Sequence, residues 1–284
     1  MLLVYTEYND EENNLRYIVN DDRTLSVKGP IDSELADWVC IIPEEYEGIK
    51  VTSIGSYAFY DCYSLTSITV SDNNKYYKSI DGVLFDKNVQ KIIAYPCSKS
   101  SNYYTIPDSI TSIGDGAFRD CYSLNSITIP DSVTSIGDYA FYGCSGLTSI
   151  IIPNAVTSIG DYTFFYCYSL TSITVSDNNK YYKSIDGVLF DNNVQKIIAY
   201  PCGKSSNYYT IPDSVTSIGE YAFWYCYSLT SITIPKSVTS IGDGAFRECS
   251  SLTEIHINKP ENSISGSPWR APNGESIVKW QGQF

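Results

Sequence analysis

The chain has 284 residues, 43% of them apolar, and a formal charge of −13, of which −9 falls on residues 1–48 (12 acidic against 3 basic side chains), −5 on 49–258 and +1 on 259–284. A core of good size is affordable, but clustered Lys and Arg are missing, so there is no electrostatic footprint for nucleic acid or an anionic lipid surface. No run of 18 apolar residues offers direct membrane insertion.

The first residues, Met1-Leu-Leu-Val-Tyr-Thr-Glu7, lack the basic start and apolar centre of a secretory signal, so an exported form would be a longer chain than this one. Leu15-Arg-Tyr-Ile-Val and Thr24-Leu-Ser-Val read as short strands around the polar Asp21-Asp22-Arg23, and Trp38-Val-Cys-Ile-Ile-Pro reads as a third. None of this fits the repeat that follows. The outermost coil of a stacked array has no neighbour on one side, so residues 1–48 are expected to form an N-terminal cap. Trp38, Trp269 and Trp280 lie outside the repeats and suit bulky plugs over open core ends.

From Val51 a Ser-Ile-Gly or Ser-Ile-Asp marker recurs, with isoleucines at 54, 80, 113, 136, 159, 185, 218 and 241. The steps are 26, 33, 23, 23, 26, 33 and 23 residues, which gives eight coils. The 26/33 steps mark an irregular coil. In it, Ser79-Ile-Asp-Gly-Val-Leu-Phe aligns with Ser112-Ile-Gly-Asp-Gly-Ala-Phe, and Lys91-Ile-Ile-Ala-Tyr-Pro stands where Ser126-Ile-Thr-Ile-Pro stands elsewhere. Ser71–Tyr104 returns as Ser176–Tyr209 with two changes, Lys87 to Asn192 and Ser98 to Gly203, so the array divides into 105-residue blocks, 51–155 and 156–260.

One coil, Asp131–Pro153, shows the local logic. Leu147-Thr-Ser-Ile150-Ile-Ile152 alternates inward and outward at its end, as a short strand does. Val133-Thr-Ser-Ile136 is a second extended run ending at Gly137, where the chain turns. Asp138 is placed to N-cap a single helical turn, Tyr139-Ala-Phe-Tyr, closed by Gly143. The few apolar groups of one coil cannot offset the entropy of ordering it, so stability must come from stacking. After Ile257 the period stops, and Pro-, Gly- and Ser-containing residues 259–284 are expected to be the C-terminal cap.

Six of the nine cysteines, at 62, 121, 144, 167, 226 and 249, share one repeat position three residues after a Phe. With no C-x-x-C and His256 as the sole histidine, zinc and other cofactors have no ligand set. A buried column of reduced thiols is expected, with disulfides between neighbouring coils as the alternative. The same lone histidine argues against Ser-His-Asp or Cys-His catalysis; G-x-S-x-G is absent, and Gly-Asp-Gly at 114–116 and 242–244 is a turn feature. The chain reads as non-enzymatic.

Ile129, Pro130, Val133, Thr134, Ile136, Gly137, Ala140, Phe141, Cys144, Leu147 and Ile150 match, coil after coil, a unit that resembles the BspA-like leucine-rich repeat family. Ser267-Pro-Trp-Arg-Ala-Pro-Asn273 resembles the tail closing many such arrays. The resemblance implies a β-rich leucine-rich-repeat solenoid of about eight stacked coils with short helical turns, capped at both ends. It also implies an extracellular or cell-surface location and adhesion to a protein of the host matrix or of another cell. A glycan ligand and a spacer role within a larger surface protein are the alternatives.

Two sets of residues are candidate binding surfaces. The outward positions of the L-x-x-I-x-I strand form one column of Ser67, Ser126, Ser149, Ser172, Ser231 and Glu254 beside another of Thr69, Thr128, Ile151, Thr174, Thr233 and His256, to which the irregular coils add Lys91 with Ile93 and Lys196 with Ile198. Such a face places one small patch per coil in register, though Ser and Thr also serve as plain polar fillers of a solvated strand. The loop pairs Tyr76-Tyr77, Tyr103-Tyr104, Tyr181-Tyr182 and Tyr208-Tyr209 are expected first as lids over the irregular core, with amphipathic contact area for a partner as the alternative.

Overall fold

The computed structural model describes residues 7–282 except Asn262 and Ser267; Met1–Thr6 of the opening segment and Ser267 of the closing motif lie outside the described residues. Two parallel ladders organise the chain. In the first, Lys91–Ala94, Ser112–Ile113, Ser135–Ile136 and Ser158–Ile159 pair in register, and Lys196–Ala199, Ser217–Ile218 and Ser240–Ile241 repeat the arrangement. The second contains the L-x-x-I-x-I strands, such as Ser149–Ile152 on Ser172–Val175 and Ser231–Ile234 on Glu254–Ile257.

The result is a β-solenoid of about 11 turns, against the eight counted from the marker. The difference arises at the ends, because strands there join the same ladders without carrying the marker. Leu25–Pro30 pairs in parallel with Ile49–Ile54, Trp38–Ile42 with Leu65–Val70, and Glu254–Ile257 with Val278–Trp280.

Among the described residues the repeat coils carry no helical turn, and the one short helix is the 3-10 turn Gly274–Ile277. Tyr139 has φ +56°, in the left-handed region, which breaks a right-handed turn at its first residue. Backbone donors then alternate between coils. The Ala140, Tyr142 and Cys144 amides bond within the coil, while those of Tyr139, Phe141 and Gly143 donate to Asp161, Thr163 and Phe165 of the next coil at 2.9, 3.1 and 2.7 Å. A helix would keep all of these bonds to itself. Asp138 likewise caps nothing in its own coil; its Oδ1 accepts from the Asp161 amide at 2.8 Å, and the Asp138 amide donates to Asp115 Oδ1 at 3.0 Å. Glycine at 160 permits this approach, since a Cβ there would lie 2.4 Å from the Asp138 backbone nitrogen.

The irregular coil also differs from its expected alignment. Ser79-Ile80-Asp81-Gly82 is not a marker but the tip of a hairpin, Tyr77–Ile80 on Val83–Asp86, with Ile80 opposite Val83. Asp81 at φ +49° and Gly82 at φ +76° give the two-residue Asp-Gly turn that matches strand twist. Ile92 and Ile197, rather than Ile80 and Ile185, stand in the ladder, opposite Ile113 and Ile218.

Between the ladders lies the core. Phe118 and Phe141 stack at 5.3 Å, Phe223 approaches Phe246 at 5.4 Å, and Tyr95 and Tyr200 occupy this ring column in the irregular coils, 5.2 Å from Phe118 and 5.0 Å from Phe223. All nine cysteines are free, and only Cys97 is less than buried. Within the array thiols donate to carbonyls of the preceding coil, as Cys144 does to Phe118 at 3.0 Å and Cys167 to Phe141 at 3.1 Å, whereas Cys62 bonds to Tyr60 of its own coil. Burial pushes the Cys62 and Cys202 thiols up to about 12.

Two buried asparagines hold the irregular coils to their neighbours. Asn179 Nδ2 donates to the carbonyls of Pro153 (2.7 Å) and Val156 (3.0 Å), and Oδ1 accepts the amides of Tyr181 (2.8 Å) and Tyr182 (2.9 Å). Asn74 does the same for Pro43, Tyr76 and Tyr77.

Candidate functional site

In a strand that buries every second residue, the intervening side chains stand on the opposite face, and parallel register lines them up between coils. Ser149 lies opposite Ser172 and Ile151 opposite Thr174; Ser231 lies opposite Glu254 and Thr233 opposite His256. Ser126 and Thr128 belong to the strand preceding Ser149, and Ser67 and Thr69 to the strand paired with Trp38–Ile42. Ser67 and Ser172 are half covered, because the Gly82 and Gly187 hairpin tips pack against them so closely that a Cβ would lie 2.5 and 2.7 Å from their hydroxyl oxygens.

Lys91 with Ile93 and Lys196 with Ile198 do not belong to this face. Their strands pair with Ser112–Ile113 and Ser217–Ile218 in the other ladder. The residues that fill the columns there are Tyr103 and Thr105, opposite Ser126 and Thr128, and Tyr208 and Thr210, opposite Ser231 and Thr233. Val39 and Ile41, opposite Ser67 and Thr69, extend the columns at one end, and Lys279, opposite His256, extends them at the other. Tyr103-Tyr-Thr-Ile-Pro107 matches Ser126-Ile-Thr-Ile-Pro130, so the signal was present in the sequence.

The face is therefore less uniformly polar than its Ser and Thr suggest. Tyr103 is 66% exposed, Ile151 60%, Tyr208 68%, Val39 48% and Ile41 45%. At the far end Glu254 and His256, two residues apart on one strand face, bond at 3.0 Å through Oε2 and Nε2.

Each tyrosine pair divides into one outward and one inward ring. Tyr76, Tyr103, Tyr181 and Tyr208 are exposed. Tyr77 and Tyr182 instead turn inward, their hydroxyls accepting the Ile54 and Ile159 amides at 3.1 and 3.0 Å. Tyr104 packs 4.9 Å from Tyr95 and Tyr209 5.0 Å from Tyr200, and burial pushes the Tyr104 phenol up to about 12. Strand alternation explains the split, since adjacent residues cannot share a face. Among the described residues no group of three or more His, Cys, Asp or Glu is arranged to hold a metal, and no helix is long and apolar enough to cross a membrane.

The sequence model of the BspA type leucine rich repeat region matches in six copies over residues 48–100, 90–203 and 181–271. Among solved structures, a leucine rich cell surface protein from Faecalibacterium prausnitzii is 30% identical, with 92% of this chain and 80% of that chain covered and a TM-score of 0.57. The pneumococcal vaccine antigen PcpA is 22% identical over 90% of this chain and 73% of its own (TM-score 0.59). A leucine-rich repeat protein from Eubacterium ventriosum is 24% identical over 98% and 78% (TM-score 0.53). The last two show the fold alone. No curated protein matches the chain.

Proposed function

Because this chain belongs to the BspA-type leucine-rich repeat family, we propose that it is a non-catalytic recognition module, extracellular or on a cell surface, that binds a protein partner through its strand face. Residues 1–48 and 259–284 serve as the caps of that module. The observation that supports the reading is the alignment of exposed apolar and aromatic side chains, Val39, Ile41, Tyr103, Ile151 and Tyr208, along columns otherwise made mostly of Ser and Thr, with Glu254, His256 and Lys279 at one end. Isolated exposed apolar residues are ordinary, but aligned ones set among hydroxyls form the mixed surface that protein contacts use. Tyrosine gives large contact area with little loss of side-chain entropy. The relative from Faecalibacterium prausnitzii, described as a cell surface protein, is consistent with the location.

The test is to immobilise the chain and measure retention of purified extracellular-matrix proteins and of solubilised epithelial cell-surface proteins. A triple variant, Ser149→Arg, Ile151→Glu and Thr174→Arg, changes only exposed outward positions. It should weaken retention of the best-held protein by about tenfold or more, equivalent to about 1.4 kcal/mol. Unchanged retention would defeat the strand-face reading, and retention of no protein by the unaltered chain would favour a spacer.

A further inference from the structure

The 105-residue duplication builds two equivalent clefts on the turn side of the coils. The irregular segments Lys91–Cys97 and Lys196–Cys202 lack the Gly-Asp-Tyr-Ala-Phe turn, which leaves a cleft between the turns of their neighbours, bridged at the rim where the Arg119 guanidinium lies 4.3 Å over Tyr60 and where Phe165 meets Trp224 at 4.1 Å. Gly55–Tyr60 and Gly114–Arg119 flank the first cleft, Gly160–Phe165 and Gly219–Trp224 the second, with volumes of about 460 and 440 Å³. Both fall within the range of about 300–1,000 Å³ typical of small-ligand sites.

We infer that each cleft is a binding site for a neutral saccharide. Aromatic rings make up much of the lining. Tyr57, 54% exposed, lines the first, and Tyr162, Tyr221 and Trp224 line the second. Such rings provide flat apolar platforms for the C–H faces of a pyranose. Charged groups of both signs accompany them, Asp86, Lys91, Asp115 and Arg119 in one cleft and Asp161, Lys196 and Glu220 in the other. Arg119 is paired with Asp120, whereas Lys91, Asp115, Lys196 and Glu220 have no ion pair among the described residues. An anion would meet carboxylates in either cleft and a cation a lysine, whereas sugar hydroxyls both donate and accept and can satisfy both signs.

Unmet hydrogen-bonding capacity points the same way. Tyr95 and Tyr200 line the clefts at 5% and 4% exposure, and neither hydroxyl has a hydrogen-bond partner; the Trp224 indole N–H in the second cleft is also unmatched. These two tyrosines occupy a column that elsewhere holds Phe, so their hydroxyls serve no repeat contact. Leaving a buried polar group unpaired is costly, and a purely apolar ligand would leave the cost in place.

The test uses isothermal titration of the full chain with four probes, namely laminarihexaose, cellohexaose, chitohexaose and an N-acetyllactosamine oligomer, together with choline as the cationic alternative. The expected result is one probe binding at two sites per chain, one in each cleft, with a change in tryptophan emission from Trp224. Tyr57→Ala should remove one site and leave the emission change; Tyr162→Ala should remove the other site and the emission change, weakening that site about tenfold or more. Circular dichroism melts check that each variant folds, and Lys91→Ala with Lys196→Ala at the same clefts replaces any variant that does not. No binding by any of the four saccharides overturns the inference, as does binding that survives substitution in both clefts or binding of choline in their place.

Discussion

Asn179→Ala probes how the irregular coils are held in the array. The side chain is buried and makes four hydrogen bonds, two donated to Pro153 and Val156 and two accepted from Tyr181 and Tyr182. Alanine removes all four and leaves backbone groups of two coils to find water or go unpaired. At about 1 kcal/mol net for each bond, the loss comes to about 4 kcal/mol, and partial hydration of the freed groups would lower it to about 2 kcal/mol. Asn178→Ala is the control, an exposed asparagine one residue away, and should change stability by less than about 0.5 kcal/mol. Because stacked arrays can open locally, urea unfolding should be paired with amide hydrogen exchange of Tyr181 and Tyr182, which should quicken by about tenfold or more. A loss below about 1 kcal/mol, or one equal to that of Asn178→Ala, would refute the reasoning.

The thiol column can be counted directly: native protein should present few reactive thiols, Cys97 foremost, and denatured protein all nine, whereas two or fewer on denaturation would mean disulfides. Stability should also depend on alkaline pH. Burial raises the folded-state values of Cys62 and Cys202 from 9.0 to about 12, so the unfolded chain loses these protons first as pH rises. Their contribution is complete below pH 9 and is lost between about 9 and 12, at roughly 1.4 kcal/mol per pH unit for each thiol ionised only in the unfolded state. Thermal melts from pH 8 to 11 should show a falling midpoint; a flat profile would contradict the burial.

The regular coils were legible because their periodicity is redundant. Each buried position of Asp131–Pro153 recurs many times, and the family match rests on those positions. The irregular coil was misaligned because Ser79-Ile80-Asp81-Gly82 resembles the marker in composition, while the Asp-Gly hairpin signal it also carries is stronger physically. Lys91 and Lys196 followed that error to the wrong ladder. Tyr139 misled for a different reason: Tyr is an ordinary helix residue, and only the demand of the next coil for alternate backbone donors places it at positive φ. Similarly, nothing local tells buried Asn179 from exposed Asn178. Of the candidate surface, the Ser and Thr columns were readable, whereas Val39 and Ile41 were hidden in a segment set aside as a cap.

Oxidative footprinting of tyrosines, with and without the protein partner best retained by the immobilised chain, tests the strand-face account most directly. Tyr103 and Tyr208 are the most exposed aromatic side chains of that face, while Tyr57 and Tyr162 report on the clefts. The account predicts protection of Tyr103 and Tyr208 by the partner with Tyr57 and Tyr162 unchanged. Protection confined to Tyr57 and Tyr162, with Tyr103 and Tyr208 still fully reactive in the complex, would contradict it.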